Sequence, residues 1–238
     1  MSTETIHSTE VERLFSVGAH FGVAKSRRHP SQIKNIFGQK DRVDVFDLEK
    51  TYTQLQKACE YAKQLGSEGK LLLFVGGKPE SSAAVKIHAE RIDAPYCVGR
   101  WIGGTLTNVP EIRKRVQRLE MLRGDRESGA LGKYTKLERV LIDREIAKLE
   151  SMYEGLVVLG NKLPHALFVV DPKSEQIAIK EAKRKNVPVI ALASSDCNVD
   201  EIEYPVSAND STAKSINFFT EAVARAYEEG KKNPAASA

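Results

Sequence analysis

Three aspartates, Asp47, Asp171 and Asp196, fall at or just beyond the ends of apolar runs of strand length. Carboxylates at the carboxyl ends of parallel strands stand where open α/β sheets bind ligands, and two or three of them would suit a divalent cation. Aspartate is also good at capping helices and forming turns, and that is the plainer reading here. Gly76-Gly77-Lys78 follows another such run and invites comparison with a phosphate loop. That loop requires Gly-x-x-x-x-Gly-Lys-Ser/Thr. Leu72 stands where its first glycine belongs, and Pro79 replaces the hydroxyl that would hold magnesium. The expectation is a tight turn with Lys78 exposed. Gly99-x-x-x-Gly103-Gly104 likewise lacks the Gly-x-Gly-x-x-Gly spacing of a dinucleotide-binding turn. The five histidines (His7, His20, His29, His88 and His165) show no His-x-x-x-His spacing, and Cys59, Cys97 and Cys197 form no Cys-x-x-Cys pair. No zinc centre, disulfide framework, catalytic residue or cofactor is expected from these patterns.

The cations carry a stronger signal. Lys25, Arg27 and Arg28 share one loop with His29, and Arg100 adjoins Trp101, the single tryptophan, among glycines that let a partner approach closely. Arg113, Lys114, Arg115 and Arg118 crowd one helical stretch; Lys133, Lys136 and Arg139 open the next, and Lys183-Arg184-Lys185 closes a third. Each cluster alone reads as a solvated face, with Glu111, Glu120, Glu138 and Glu145 as available helix-surface partners. Spread over loops and a helical arm, together they point to a large polyanion touched at several points. The expected contacts are Lys25, Arg27, Arg28, Lys78, Arg100, Arg113, Lys114, Arg115 and Arg118. The net charge of +4 permits such a partner without demanding it.

The elements that must position these residues follow from the hydropathy pattern. Lys70–Val75, Tyr96–Val98, Leu167–Val170 and Val189–Leu192 are apolar runs without alternation, as in strands buried on both faces of a parallel sheet. Val43–Leu48 alternates in part, and Tyr204–Val206 reads as an edge strand. Helices are expected from a capping box at Thr9-x-x-Glu12, over 49–65 with Gly66 and Gly69 ending it, over 80–92, over 174–182 and over 210–229. Between them lie two highly charged stretches, 109–123 and 135–153. Ile112, Val116, Leu119 and Leu122 repeat at three and four, as do Ile142, Ile146, Leu149 and Tyr153. So narrow a stripe is a coiled-coil seam, and two such helices joined by the turn-rich 124–129 make an antiparallel hairpin. The expected class is α/β: a three-layer domain with a mostly parallel sheet, formed by 1–106 and 158–230, a hairpin insertion over 107–157 and a disordered tail over 231–238. Among the 238 residues no apolar run approaches the ~20 needed to cross a membrane. The opening MSTETIHSTE carries no signal or transit pattern, so a cytoplasmic setting without a membrane partner is expected.

Three segments, taken in order, carry a resemblance: His20-Phe21-Gly22; Arg100-Trp101-Ile102-Gly103-Gly104-Thr105-Leu106-Thr107-Asn108; and Pro164–Ala182, PHALFVVDPKSEQIAIKEA. Together they resemble the bacterial form of the small ribosomal subunit protein two family, over about residues 10 to 230. The resemblance implies a Rossmann-like three-layer α/β fold with a coiled-coil hairpin insertion, and a structural rather than catalytic role without a small-molecule substrate. It implies binding to small-subunit ribosomal RNA late in assembly, at the body–head junction on the solvent side. It also implies contact with other small-subunit proteins, including the large RNA-binding protein one, in support of messenger RNA loading. His20, Gly22, Trp101, Gly103, Gly104, Asn108 and Asp171 are then motif or fold residues. The family usually reads His-x-Gly-His near its start, and Val23 stands at the second histidine, so no RNA or metal role of that histidine carries over. The rival reading is a Rossmann-like enzyme or small-ligand module using the crevice near Gly76-Gly77, Asp171 and Asp196.

Overall fold

The computed structural model describes residues 3–160 and 162–234. Its centre is a five-stranded parallel sheet of order β5-β4-β6-β7-β8, built from β4 (Leu72–Gly76), β5 (Tyr96–Val98), β6 (Ala166–Val170), β7 (Val189–Ala193) and β8 (Tyr204–Ser207). The unalternating runs of β4, β6 and β7 are buried at every position. Successive side chains point to opposite faces, so each strand feeds two cores. Leu72, Phe74, Phe168 and Ile190 join the core under α1 (Thr3–Ser16), α2 (Leu48–Ser67), α3 (Pro79–Arg91) and α7 (Ala213–Lys232). Leu73, Val75, Leu167, Val169 and Ala191 join the core under α6 (Gln176–Arg184) and the root of the helical hairpin α4 (Val109–Glu127) and α5 (Lys136–Tyr153). The architecture is a Rossmann-like α/β fold.

Chain direction reverses at the middle of the sheet. From β4 the chain moves to the β5 edge, then returns to β6 and continues to β8. The junction of β4 and β6 is therefore the topological switch point, where doubly wound sheets hold ligands.

A second, antiparallel sheet of order β1-β3-β2 comprises β1 (Phe21–Ala24), β2 (Ile36–Lys40) and β3 (Val43–Phe46). The sequence reading foresaw only the last of these. β1 is four residues long, β2 carries a bulge between Ile36 and Gly38, and both are too short or irregular to show a period. This sheet is fastened to the strand ends of the large one. Val23 N–H donates to Ser195 Oγ at 2.9 Å, His29 N–H to the Ser195 carbonyl at 2.8 Å, and Gln32 Nε2 to the Ser194 carbonyl at 2.9 Å. Gly22 is required by that closeness: a Cβ there would meet Ser195 Oγ at 2.8 Å.

Several expected boundaries move. α1 begins six residues before Thr9, which lies inside the helix rather than capping it. Gly66 is buried inside α2, and the chain turns instead at Gly69, with φ +64°. α4 runs on through Glu127, so the hairpin link begins at Ser128 rather than at Gly124 and extends to Thr135. α7 continues through Lys231 and Lys232, which the sequence reading gave to the tail; 235–238 lie outside the described residues. The seam is as the spacing requires: Val116, Leu119 and Leu122 meet Ile146, Leu149 and Tyr153 in a buried stripe.

Candidate functional site

The strand-end aspartates resolve into turns, caps and ion pairs. Asp47 caps α2, accepting from the N–H groups of Glu49 and Lys50 at 3.2 and 3.4 Å. Asp196 pairs with Lys173 at 2.7 Å. Asp171, at φ +60°, accepts from the N–H groups of Lys173 and Ser174 and from Ser174 Oγ at 2.6 Å. Lys78, expected to be exposed, instead turns into the switch point. Its Nζ lies 2.6 Å from Asp171 Oδ2 and 3.8 Å from Asp210 Oδ2. This is a correction with a plain cause: two buried carboxylates at the ends of β6 and β8 need a cation, and Lys78 is the side chain at hand.

The electrostatics follow. Burial opposes the charge on Lys78, but Asp171 and Asp210 together hold its pKa above the ordinary lysine value. Burial likewise opposes ionisation of Asp171, and Lys78 and Ser174 overcome it, leaving the carboxyl below its usual range. Asp210 is pushed up to about 6 by burial and by the nearby Asp171 charge. Glu175 is buried against Gly77, where a Cβ would fall 1.9 Å from its Oε1, and burial followed by Asp171 raises it to about 7. Cys197 completes a group with Asp171 and Asp210 whose ligand atoms lie within 4.8 Å of one another. Burial pushes its thiol up, and Lys78 already supplies the positive charge a metal would bring. The chain's own Lys78–Asp171 ion pair sits at the switch point beside an open cavity lined by Gly77, Lys78, Gly99, Arg100, Ser174 and Glu175, and the small sheet is fastened over the β7–β8 side.

The second motif closes on a residue the sequence reading did not single out. The Glu181 carboxylate, on the inner face of α6, receives N–H groups from Gly104 at 2.7 Å, Leu106 at 3.0 Å and Thr107 at 3.1 Å. Thr107 Oγ1 donates at 3.1 Å and Trp101 Nε1 at 3.3 Å. Gly104 reaches this position with φ +98°, which a side chain would strain. Burial works against the charged form, yet the donors hold Glu181 below the ordinary glutamate value. Trp101 is 5% exposed and packs among Leu106, Val116 and Val169. Trp101 and the loop over 101–108, with Gly103 exposed on it, therefore lock the hairpin root to α6, and Asn108 stands at the N-terminal boundary of α4, ahead of Pro110, without a side-chain capping bond. One signal was present: a glutamate at 181 on a face otherwise formed by Ala178, Ile179 and Ala182.

The remaining cations divide into two groups. Arg28 also has an internal partner. Its guanidinium grips Asp44, whose side chain is 0% exposed, with Nε 2.8 Å from Oδ2 and a second contact from Nη2 to Oδ1. A buried carboxylate on β3 needed a partner, and the adjacent loop provides it. Lys25, Arg27, Arg100 and Arg115 are exposed, and none takes part in an ion pair among the described residues. On the arm, Lys114 pairs with Glu111 and Arg118 with Glu145, both at the surface, while Arg113 is half-buried at the hairpin root. His20 is stacked on Phe15 with ring centroids 4.4 Å apart and lies 4.0 Å from Phe21. Burial and then Lys40 lower its pKa.

Lys78 paired at the switch point, strand-end aspartates engaged in a cap, a turn and an ion pair, and cations displayed on a loop and an arm describe an α/β protein with an inserted basic hairpin. Comparison with known families gives the particular one. Residues 14–230 match the family model described as Ribosomal protein S2, and the chain belongs to that family. It is 36% identical over 222 residues to small ribosomal subunit protein uS2 of Coprothermobacter proteolyticus, covering 93% of this chain and 82% of the relative. The uS2 proteins of Dictyoglomus thermophilum and Corynebacterium urealyticum are 36% and 38% identical, covering 93% of this chain and 89% and 82% of the relatives. The chain is a structural, non-enzymatic constituent of the small ribosomal subunit.

Proposed function

We propose that this chain is held in the small subunit by phosphate contacts from Lys25 and Arg27 on the basic loop, Arg100 beside the hairpin root, and Arg113, Lys114, Arg115 and Arg118 along the arm. The carrying observation is that Lys25, Arg27, Arg100 and Arg115 are exposed without an internal ion-pair partner. Lys114 and Arg118 can exchange their surface pairs for phosphate at little cost, since exposed pairs contribute about 0–1 kcal/mol. Lys78 and Arg28 leave the list, because their charges are spent on Asp171 and Asp44.

Neighbouring small-subunit proteins are the second class of partner. Phe15, Phe21, Ile33 and Phe37 are 62%, 48%, 58% and 81% exposed around the small sheet and the end of α1, an aromatic surface better suited to protein than to phosphate. We read the large RNA-binding protein one, which the resemblance to the family implies as a partner, as the protein that meets this surface, on a chain that joins cytoplasmic ribosomes late in assembly at the body–head junction.

The test is binding to small-subunit ribosomal RNA over a range of salt. Lys25→Glu with Arg27→Glu is expected to weaken binding and to lower the salt slope by about 0.7–0.9 per lost contact. An unchanged affinity and slope would remove the loop from the interface.

A further inference from the structure

The outward face of α5 carries an apolar stripe that the fold does not use. The seam of α5 runs through Ile142, Ile146, Leu149 and Tyr153. At 3.6 residues per turn, Leu137, Val140, Leu141 and Arg144 lie on the opposite side. Leu137 is 70% exposed, Leu141 54% and Val140 39%, and Tyr134 adds a ring at the tip end. A helix that points one apolar stripe at its partner and a second at water has an unmet contact.

The charges around the stripe say what kind. Lys136, Arg144 and Lys148 are exposed on or beside it and join no ion pair among the described residues. The acidic residues of α5 are largely spent elsewhere. Glu138 closes the capping box on Thr135, Glu145 binds Arg118 and Glu150 binds Arg123. Asp143 alone stands unpaired, at the flank. The outward face is thus apolar and cationic, while the inward side of the hairpin holds the carboxylates.

We infer that this face of the hairpin docks an acidic, apolar-sided helical segment of a neighbouring small-subunit protein. The inference rests on the ribosomal reading above and adds a protein partner at a surface assigned to no contact there. RNA would satisfy Lys136, Arg144 and Lys148 but would leave Leu137 and Leu141 against phosphate and water. A second copy of the chain would bring cations against cations. An acidic amphipathic helix satisfies both features, in the manner of helix-in-groove recognition.

The experiment uses the full chain and two immobilised probes: small subunits washed free of this protein, and naked small-subunit ribosomal RNA. Leu137→Glu with Leu141→Glu is expected to weaken binding to the washed particle by about tenfold or more, the loss typical when anchoring side chains are removed from an interface centre. Binding to naked RNA should stay at the wild-type level, and so should the melting temperature, because both side chains are exposed. The charge variant Lys136→Glu, Arg144→Glu, Lys148→Glu leaves the apolar stripe intact and should also weaken the particle complex. Equal losses on particle and RNA would make the stripe part of the RNA interface and overturn the inference. Wild-type behaviour of both variants on the particle would overturn it too. A wild-type chain that binds neither probe would refute the ribosomal reading itself, and this inference with it.

Discussion

The indole N–H of Trp101 donates to Glu181 Oε1 at 3.3 Å, joining residues 80 apart in sequence. One belongs to the loop that launches the hairpin and the other to the helix after β6, so the bond ties the inserted arm to the sheet domain. A buried carboxylate with five donors leaves little freedom at the root of the arm.

Glu181→Gln should therefore destabilise the fold. The amide turns an NH2 group toward N–H donors, and leaving buried donors unpaired costs about 1–3 kcal/mol each. Urea unfolding followed by the fluorescence of the single tryptophan measures it. Trp101→Phe keeps most of the packing and loses one hydrogen bond, for a loss of about 1 kcal/mol, read by circular dichroism because the variant has no tryptophan. RNA affinity of the folded fraction should not change in either variant.

Arg27→Glu and Arg28→Glu should behave as opposites although the residues are adjacent. Arg27 is exposed, so its reversal should leave the melting temperature alone and weaken RNA binding. Arg28→Glu places a carboxylate against Asp44, which is fully buried, and breaking such a pair costs on the order of 3–5 kcal/mol. Thermal unfolding of the two single variants separates them; equal melting temperatures would contradict the ion-pair assignment.

Glu175 makes stability depend on pH in a stated direction. Its folded pKa of about 7 lies above its ordinary value of 4.5, so between those values the folded chain binds more protons than the unfolded one. Stability from this group is present at and below pH 4.5 and is lost as pH rises toward 7. Glu175→Gln should flatten that decline and be the more stable protein at pH 8, as read from chemical denaturation across the range.

These features differ in how plainly the sequence announced them. The parallel strands were legible because β4, β6 and β7 are buried on both faces and read as unbroken apolar runs. The hairpin was legible because its seam repeats at three and four. The small sheet was hidden, since β1 and β2 are short, irregular and half-exposed. The fates of Lys78 and Arg28 were hidden for another reason. Sequence shows a cation beside a turn, but its partner, Asp171 or Asp44, is chosen by tertiary folding. Glu181 was passed over because a lone glutamate on a helix reads as solvated until a loop from another part of the chain wraps it.

The central claim is that the chain works as a constituent of the small subunit held through exposed cations. Sedimentation of cell lysate on gradients at low and high salt, with the chain followed by a specific probe, tests it most directly. The account predicts co-migration with small subunits at low salt, release as salt rises, and release at lower salt for a chain carrying Lys25→Glu, Arg27→Glu and Arg115→Glu. A chain that stays near the top of the gradient at every salt concentration would contradict it.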